Sequence, residues 1–268
     1  MTGTPTELAS RLEAARAAAA LAGAAALRWF GRPDLAVERK ADASPVTQAD
    51  RAAEAILRRE LLAGFPDDGF LGEETGRSPG TSGYEWVVDP IDGTKSFIRG
   101  VPLWATLVGC RKDGRGVLGV IAIPALGEGV HAATGGGAWH TLPDGKATKA
   151  RVSPHAVPDE ALLCSSDFTS FTRRPAGEAV RRRLEAACGV VRTWGDGYGY
   201  LLVATGRAEV MVDPLLSPWD AAAVEVVVRE AGGRFSDWAG RDRIDSGDGV
   251  ASNGMVHERI LGLLAAAC

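Results

Sequence analysis

The chain has 268 residues, of which 46% are hydrophobic and 24% are charged, and its formal net charge is -4. This length and apolar fraction are sufficient for one large globular unit. The charges are scattered, which excludes the concentrated basic surface of a nucleic-acid-binding protein. The four cysteines are widely spaced and form no CxxC pair, so a zinc site or a disulfide framework is not expected and the thiols are predicted to be reduced; they are Cys110, Cys164, Cys188 and Cys268.

The Ala-rich segment from Ala14 to Leu27 resembles a signal-peptide core, but it lacks a basic leader. Glu7 and Glu13 precede it, and such acidic residues are untypical of an export signal. The apolar run is also too short and too weakly apolar to cross a bilayer. The sequence therefore predicts a cytoplasmic protein without a membrane partner.

Two helices are predicted before residue 65. Thr4 followed by Pro5 and Glu7 is a helix start, and this helix is expected to run to about Phe30, with Gly31 as its stop. A second helix begins at Thr47 and ends near Gly64. The segment 37–45 between them is polar and predicts a loop or a short hairpin.

Strands follow. The apolar run 86–88 ends at Asp89, and two further strands, Leu103–Cys110 and Val117–Ile123, flank a hairpin turn at 112–114. The glycines at 135–137 predict a tight turn rather than a dinucleotide-binding loop, because no strand–helix context surrounds them.

The second half alternates between strands and helices. This pattern predicts an α/β-like half at 151–268 after an antiparallel half at 1–150, the two acting as a single catalytic unit over 1–268. The expected elements are strand Ala161–Cys164, helix Gly177–Ala187, strand Val190–Thr193, helix Gly197–Gly206, strand Ala208–Val212, helix Ser217–Ala231, strand Gly233–Trp238 and a last helix from about Gly254.

A pair of carboxylates at a strand end is the strongest chemical signal. Asp89 and Asp92 flank Pro-Ile, and Gly93-Thr94 follows. Carboxylate oxygens are hard ligands suited to Mg²⁺. The amides of Gly93 and Thr94 open a helical turn, where a phosphate binds favourably. Together they indicate phosphoryl chemistry.

Further acids have ordinary structural interpretations when each is taken alone. Asp50 and Asp220 lie three residues after Thr47 and Ser217, the spacing of a capping box. Glu73-Glu74 fits a solvated loop, and Asp213-Pro214 fits a turn. Their combination favours a site assembled from distant segments for two metal ions, which can clamp the attacking and leaving oxygens of a phosphoryl transfer.

The motifs resemble those of the inositol-monophosphatase-like, Mg²⁺-dependent, lithium-sensitive phosphatases. Their order and spacing agree with that family over nearly the whole chain. The matching segments are Thr47-Gln48-Ala49-Asp50, Gly72-Glu73-Glu74, Asp89-Pro90-Ile91-Asp92-Gly93-Thr94-Lys95-Ser96-Phe97, Trp219-Asp220-Ala221-Ala222 and Glu230-Ala231-Gly232-Gly233.

The resemblance implies a role for each matching position. Side chains of Glu73, Asp89, Asp92 and Asp220, with the Ile91 carbonyl, would bind two or three Mg²⁺ ions. Glu73 and Thr94 would orient the attacking water, and Asp50 would accept a hydrogen bond from Thr94. Asp92, Asp220 and the amides of Gly93 and Thr94 would contact the substrate, without a covalent phosphoenzyme.

The family fold is α+β, a layered α-β-α-β-α sandwich, and its members are commonly homodimers. By the same analogy, the polar loop after the first helix would close over the site, with Lys40 and Asp42 helping to hold a third ion. The four histidines, at positions 131, 140, 155 and 257, lie outside every motif and are expected at the surface.

The substrate must be read outside the metal motifs. The segments 100–107 and 194–199 are similar to the histidinol-phosphatase branch of the family, which implies histidinol phosphate. Two acids near an aromatic residue suit a cationic phosphate monoester better than a neutral polyol. The expected contacts are Trp194, Gly195, Asp196 and Asp213, with Glu209 a weaker candidate at a dimer face.

Alternatives remain open at this point. Asp196 also fits a helix N-cap, and Trp194 and Tyr198 fit core packing. The substrate could be an inositol or sugar phosphate, or a 3′-phosphonucleotide, although the chain is short for that group. A catalytically silent relative that binds a phosphorylated ligand or a protein is the alternative from another class.

Overall fold

The computed structural model describes residues 4–40 and 45–265. Two helices and a hairpin precede a run of strands that is interrupted by one short helix. In chain order these elements are α1 (Pro5–Leu27), β1 (Val37–Arg39), β2 (Pro45–Thr47), α2 (Gln48–Gly64), β3 (Gly69–Gly72), β4 (Gly76–Ser78), β5 (Tyr84–Asp92), α3 (Thr94–Ile98), β6 (Ala105–Lys112), β7 (Arg115–Ile123), β8 (Glu128–Ala133), β9 (Gly137–Thr141) and β10 (Ala147–Ala150).

The second half alternates strands with helices and adds a final strand and helix. Its elements are β11 (Leu162–Cys164), α4 (Gly177–Ala187), β12 (Val190–Arg192), α5 (Asp196–Ala204), β13 (Val210–Asp213), α6 (Pro218–Glu230), β14 (Arg234–Ser236), β15 (Gly249–Ser252) and α7 (His257–Ala265). None of the helices in the described part of the chain is long and apolar enough to cross a membrane.

Two large sheets organise the molecule. The first has eight strands in the order β10-β9-β8-β7-β6-β5-β3-β4, and only the β3–β5 pair is parallel. The second has five strands in the order β12-β11-β13-β15-β14. Strand β11 pairs in parallel with β12 and β13, whereas β15 is antiparallel to both of its neighbours.

Helices separate and cover these sheets. Helices α1 and α2 pack on one face of the eight-stranded sheet, with Leu57, Phe70 and Trp86 in the core between them. Helices α5 and α6 lie between the two sheets, within the largest apolar cluster. Helices α4 and α7 cover the outer face of the second sheet. The layered α-β-α-β-α sandwich expected from the sequence is confirmed.

The predicted helix starts are confirmed by their caps. Thr4 Oγ1 accepts a hydrogen bond from Glu7 N at 3.3 Å, and Glu7 Oε2 accepts one from Thr4 N at 2.7 Å. Helix α1 ends at Leu27, three residues before the predicted Phe30. The next residues form tighter turns instead, and Gly31 follows in the left-handed region with φ of 71°.

The described residues of the segment 37–45 contribute β1 and the first residue of β2, and these two strands pair antiparallel. Asp42, which was predicted to help hold a third ion, lies in the segment 41–44, outside the described residues. The described cysteines, Cys110, Cys164 and Cys188, are free thiols, as the sequence predicts, and all three are buried.

Two glycines let α6 approach the first sheet closely. A Cβ on Gly119 of β7 would overlap the backbone of Ala223 in α6, and one on Gly109 of β6 would lie 2.8 Å from the Ala222 Cβ. A real Cβ atom does not make contacts this short, so only a residue without a side chain fits at these two strand positions. The N-terminus of α6 is thereby placed beside the end of β5.

Candidate active site

Three carboxylates meet where β5 ends and α6 begins. Asp89 and Asp92 lie on either side of a register shift at the end of β5, and Asp220 is in the first turn of α6. One oxygen from each lies within 4.8 Å of the others. A cluster of hard oxygen donors of this size fits Mg²⁺.

The closely spaced carboxylates of this cluster favour the binding of a cation. Burial, reinforced by neighbouring carboxylates, raises the pKa of Asp89 and Asp92 well above the ordinary value. Burial likewise raises the pKa of Asp220 to about 7. Like charges disfavour one another's ionised form in a low-dielectric site, and a bound divalent cation would remove that cost. The donor set therefore fits the metal that the sequence predicts.

Glu73 approaches the cluster from the turn between β3 and β4. Its Oε1 lies 2.7 Å from Lys40 Nζ, which also lies 2.7 Å from Glu74 Oε1. Burial lowers the pKa of Lys40, but the two ion pairs outweigh this effect and raise it overall. Burial raises the pKa of Glu73 although Lys40 opposes the change. Lys40 directly follows β1, so its ion pairs with Glu73 and Glu74 connect the β1–β2 hairpin to the site.

Glu54 fixes the same turn and was missed from the sequence. Its side chain is 1% exposed. It accepts hydrogen bonds from Glu74 N at 2.7 Å, Thr75 N at 2.8 Å and Thr75 Oγ1 at 2.6 Å. A Cβ on Gly72 would overlap the Glu54 carboxylate. The only available signal was its position one helical turn after Asp50, which is also typical of a solvated helix face.

Asp50 is both a helix cap and a neighbour of Thr94. Its Oδ2 accepts hydrogen bonds from Thr47 N at 2.7 Å and Thr47 Oγ1 at 2.6 Å, completing a capping box. Its Oδ1 lies 3.5 Å from Thr94 Oγ1, which donates a shorter bond of 3.1 Å to the Ile91 carbonyl. Burial raises the pKa of Asp50. The two interpretations of Asp50 are therefore compatible.

Asp220 also caps its own helix. Its Oδ2 accepts a hydrogen bond from Ser217 N at 2.9 Å. Asp89 Oδ1 similarly accepts one from Ile91 N at 2.9 Å, and Asp92 Oδ2 accepts one from Gly197 N. These bonds fix the orientation of each carboxylate while leaving further lone pairs for a ligand.

Asp213 and Asp196 lie beside the cluster in different ways. Asp213 is 2% exposed, and its two oxygens accept bonds from Tyr200 Oη at 2.9 Å and Ser166 N at 3.1 Å. Burial raises the pKa of Asp213 to about 7 and that of Asp196 to about 6. The Asp196 carboxylate presses on Gly93, where a Cβ would lie 2.8 Å from it.

The alternative interpretation of Asp196 as an N-cap is wrong. Gly195 holds the N-cap position of α5, and Asp196 is its first residue, with φ of 53°. The Asp196 amide donates to Ser166 Oγ at 2.9 Å. Left-handed backbone at a non-glycine residue is costly and is common at functional sites.

Trp194 lies away from the cavity. Its side chain is 40% exposed, so it does not pack in the core, and its ring faces the guanidinium of Arg192 at 5.8 Å. Gly195 is buried, and a Cβ at this position would lie 2.1 Å from the Ser166 Cα. Tyr198 packs against the central core, as its alternative interpretation predicts.

The cluster opens into a cavity of about 300 Å³. Its described lining residues are Glu73, Asp89, Ile91, Asp92, Gly93, Thr94, Lys95, Ser166, Asp167, Ser170, Arg173, Asp196, Tyr200, Asp213, Leu215, Leu216, Ser217, Trp219 and Asp220. The aromatic wall is thus formed by Tyr200 and Trp219 rather than Trp194. Asp167, Ser166 and Arg173 were not singled out from the sequence, since a Ser/Thr-rich segment resembles an ordinary loop.

The expected surface position is wrong for two histidines. His257 is fully buried between Ser236 Oγ at 3.0 Å and Ser252 Oγ at 2.8 Å. His131 is 9% exposed, and burial lowers the pKa of both to about 4. An isolated histidine in sequence gives no indication of burial. Glu209 is also buried, accepting from Ser153 Oγ and Leu162 N.

Comparison with known proteins agrees with this geometry. The profile of the Inositol monophosphatase family matches residues 7–267. A histidinol-phosphatase of Chlorobaculum parvum is 44% identical over 86% of this chain and 87% of its own length. A histidinol-phosphatase of Mycobacterium tuberculosis is 41% identical over 87% of this chain and 89% of its own length. An inositol-1-monophosphatase of Mesorhizobium japonicum is 36% identical over 91% of this chain and 92% of its own length.

Solved structures share the fold. The suhB protein of Bartonella henselae superimposes with a TM-score of 0.86 at 29% identity, covering 96% of this chain and 98% of its own. An IMPase of Thermotoga maritima gives a TM-score of 0.85 at 28% identity, with the same coverage. The chain therefore belongs to the inositol monophosphatase family and is a phosphoric monoester hydrolase.

Proposed function

We propose that this protein is a Mg²⁺-dependent phosphatase that hydrolyses L-histidinol phosphate to histidinol and inorganic phosphate, a step of histidine biosynthesis. The observation that carries the proposal is the cluster of buried Asp89 and Asp92 with partly buried Asp220, which lines a cavity that holds additional acids. The first-named relatives, both histidinol-phosphatases, support the choice of substrate.

The proposed metal ligands are the side chains of Glu73, Asp89, Asp92 and Asp220 and the carbonyl of Ile91, holding two or three ions. When bound, Mg²⁺ supplies charge neutralisation for the phosphate oxygens and acidifies water. Glu73 Oε1 pairs with Lys40 Nζ at 2.7 Å, and its second oxygen is available to this site.

The remaining roles belong to the protein itself. Glu73 and Thr94 orient the attacking water, and Asp50 accepts a hydrogen bond from the Thr94 hydroxyl, which makes the Thr94 oxygen a better acceptor. The amides of Gly93 and Thr94 hold the phosphate in line for attack. Direct displacement by water requires no covalent phosphoenzyme.

A cationic alcohol moiety fits the acids beyond the metal cluster. Asp196 and Asp213 add negative charge to the same cavity, and a protonated amine next to them gains a favourable interaction that a neutral polyol lacks. Substrate contacts by Trp194 and Gly195 stay predictions from the family resemblance.

The test is phosphate release by purified protein with Mg²⁺, comparing L-histidinol phosphate with inositol 1-phosphate. We expect a preference of about 100-fold or more in kcat/KM, equivalent to about 2.7 kcal/mol, and no release in EDTA. Equal or reversed preference would leave a phosphatase with another substrate.

Two other functions are distinguished by the same assay. Preference for inositol 1-phosphate or a sugar phosphate is favoured by the similarity to an inositol-1-monophosphatase. A silent phospholigand-binding relative would release no phosphate from any monoester, with or without Mg²⁺.

We further propose that residues 1–268 act as one catalytic unit, because Asp220 of the second half completes a cluster built on the first. A homodimer and sensitivity to lithium are proposed from the resemblance, and cytoplasmic localisation is proposed from the cysteine pattern and the acidic residues before the Ala-rich segment. Light scattering of the purified protein, fractionation of cells and a lithium titration of activity test these three points.

A further inference from the structure

Asp167 lies where three neighbouring cavities meet. It follows β11 and precedes a single turn of 3-10 helix at Ser170–Arg173. With Lys95 it lines the 300 Å³ cavity of the carboxylate cluster and adjoining cavities of about 220 and 740 Å³. A ligand held at the cluster can therefore also reach Asp167.

Hydrogen bonds hold this carboxylate in place and in its charged form. Asp167 Oδ1 accepts from Ser170 N at 2.7 Å and Thr169 Oγ1 at 2.6 Å, and Oδ2 accepts from Ser170 Oγ at 2.8 Å. Burial opposes the charged form, but these bonds outweigh it and lower the pKa of Asp167 to about 2. Oδ2 retains acceptor capacity on its cavity side.

The other acids beyond the metal cluster are less available. Both oxygens of Asp213 are engaged by Tyr200 and Ser166, and its side chain is 2% exposed. Asp196 presses against Gly93, at the phosphate end of the cavity. The Asp167 side chain is 32% exposed, so a ligand group can approach it directly.

A primary ammonium already stands beside Asp167. Lys95 Nζ lies 3.6 Å from Oδ2, and the Lys95 side chain is 78% exposed. Such a long, solvated ion pair contributes little stability and is easily displaced. It shows that the position accepts the chemical group that an amino-alcohol phosphate carries. Arg173, which lines the same cavity, adds positive charge that Asp167 must offset for a cationic ligand.

We propose that Asp167 is a specificity residue that binds the protonated amine of the substrate's alcohol moiety while the amides of Gly93 and Thr94 hold the phosphate. This inference rests on the proposed function, since it presumes a cationic phosphate monoester.

The test is Asp167→Asn, measured with L-histidinol phosphate and with inositol 1-phosphate. Asparagine keeps an oxygen that can accept from Ser170 N and Thr169 Oγ1, so the turn is retained while the charge is lost. We expect kcat/KM for the cationic substrate to fall by about 10- to 100-fold, mainly through KM, the scale of one charge-assisted hydrogen bond. The kcat/KM for inositol 1-phosphate, whose alcohol moiety is uncharged, should be unchanged.

A matched control is Asp159→Asn. Asp159 is an exposed acid of the 3-10 helix Pro158–Glu160, and its substitution should leave kcat/KM unchanged for both substrates. Equal losses on both substrates would reduce Asp167 to a structural cap, and no loss on either would overturn the contact. Inhibition of inositol 1-phosphate hydrolysis by L-histidinol provides a second measurement, and the variant should weaken it by the same factor.

The two proposals fail separately. A wild-type protein that does not prefer L-histidinol phosphate contradicts the proposed function, while the inhibition by L-histidinol still reports on Asp167. A wild-type protein that prefers it, together with a variant that keeps the full preference, contradicts only the role of Asp167.

Discussion

At the residue scale, the carboxylates that would bind metal are the ones whose burial is most costly. Asp89, Asp92 and Asp220 are held within 4.8 Å of one another in a buried site. Without a cation their mutual repulsion opposes folding. Activity and metal-free stability are therefore expected to change in opposite directions when one charge is removed.

Asp92→Asn tests this opposition. Asparagine can still accept from Gly197 N, so packing is kept while one charge is lost. We expect Mg²⁺-dependent turnover to fall by at least about 100-fold, and the metal-free unfolding midpoint to rise by about 2–4 °C, equivalent to about 1 kcal/mol. Thermal denaturation in EDTA and in Mg²⁺ measures both states.

The matched control is Asp245→Asn, an exposed acid paired with Arg243, which should leave both quantities unchanged. A variant with normal turnover, or one less stable than the wild type in EDTA, would contradict the assignment of Asp92 to a repulsive metal cluster.

Asp213 predicts a pH dependence of stability that does not require metal. Burial raises its pKa from 3.8 to about 7. A raised acid pKa in the folded state means that its favourable contribution is full below about pH 4 and is lost as the pH rises through about 7. Stability attributable to Asp213 should thus decline between about pH 4 and 7.

Asp213→Asn should flatten this decline, with a gain of about 2 kcal/mol relative to the wild type at pH 8. Asparagine can accept from Ser166 N and donate to Tyr200 Oη, so both contacts survive. Urea denaturation at pH 5 and pH 8 measures the effect, and parallel pH profiles of the two proteins would contradict it.

Residues with a motif were predictable from the sequence, and residues without one were not. Asp89, Asp92 and Asp220 stand at strand and helix ends where a ligand is expected. Glu54 lies on an amphipathic helix where glutamate is usually solvated, and His257 has no neighbouring signal at all. Their burial depends on which segments pack against them, and single-residue patterns do not encode that.

At the element scale, the turn between β3 and β4 is shaped by a helix rather than by its own residues. Glu54 of α2 satisfies two backbone amides and one hydroxyl of this turn. Gly72 leaves the space that the carboxylate fills. The position of Glu73 therefore depends on α2.

Glu54→Gln should disorganise that turn, because the new NH₂ group faces a backbone donor. We expect a loss of about 1–3 kcal/mol in unfolding free energy and weaker Mg²⁺ binding, read as a smaller rise in melting temperature on adding Mg²⁺. Glu60→Gln on the same helix, where Glu60 pairs with Arg59 at the surface, is the control. Unchanged Mg²⁺ stabilisation in Glu54→Gln would contradict a positioning role.

Elements were predictable where local chemistry determines them. The capping boxes marked α1 and α2, and the predicted bounds of α4 match the structure. Strands β3, β4, β8, β9, β10 and β15 were not predicted, because their short, mixed sequences become strands only by pairing with neighbours. The second sheet is likewise mixed rather than α/β-like, since β15 is antiparallel to its neighbours.

At the scale of the whole molecule, α6 joins the two halves. It lies between the sheets, and its first turn carries Asp220 to the end of β5, where Asp89 and Asp92 lie. The approach depends on two strand positions without side chains, Gly109 and Gly119. The fold therefore sets the metal geometry through a backbone contact.

Gly119→Ala should push α6 away from the sheet, because the added methyl group overlaps the backbone of Ala223. Overpacking of this kind costs about 1–3 kcal/mol, and Asp220 should move with its helix. We therefore expect lower stability together with a higher Mg²⁺ concentration for half-maximal stabilisation. Gly64→Ala, at the end of α2 with open space around it, should not lower stability and should leave the Mg²⁺ dependence unchanged. Loss of stability with unchanged Mg²⁺ dependence would mean that the helix yields locally and Asp220 keeps its place, so that the middle layer does not transmit packing to the site.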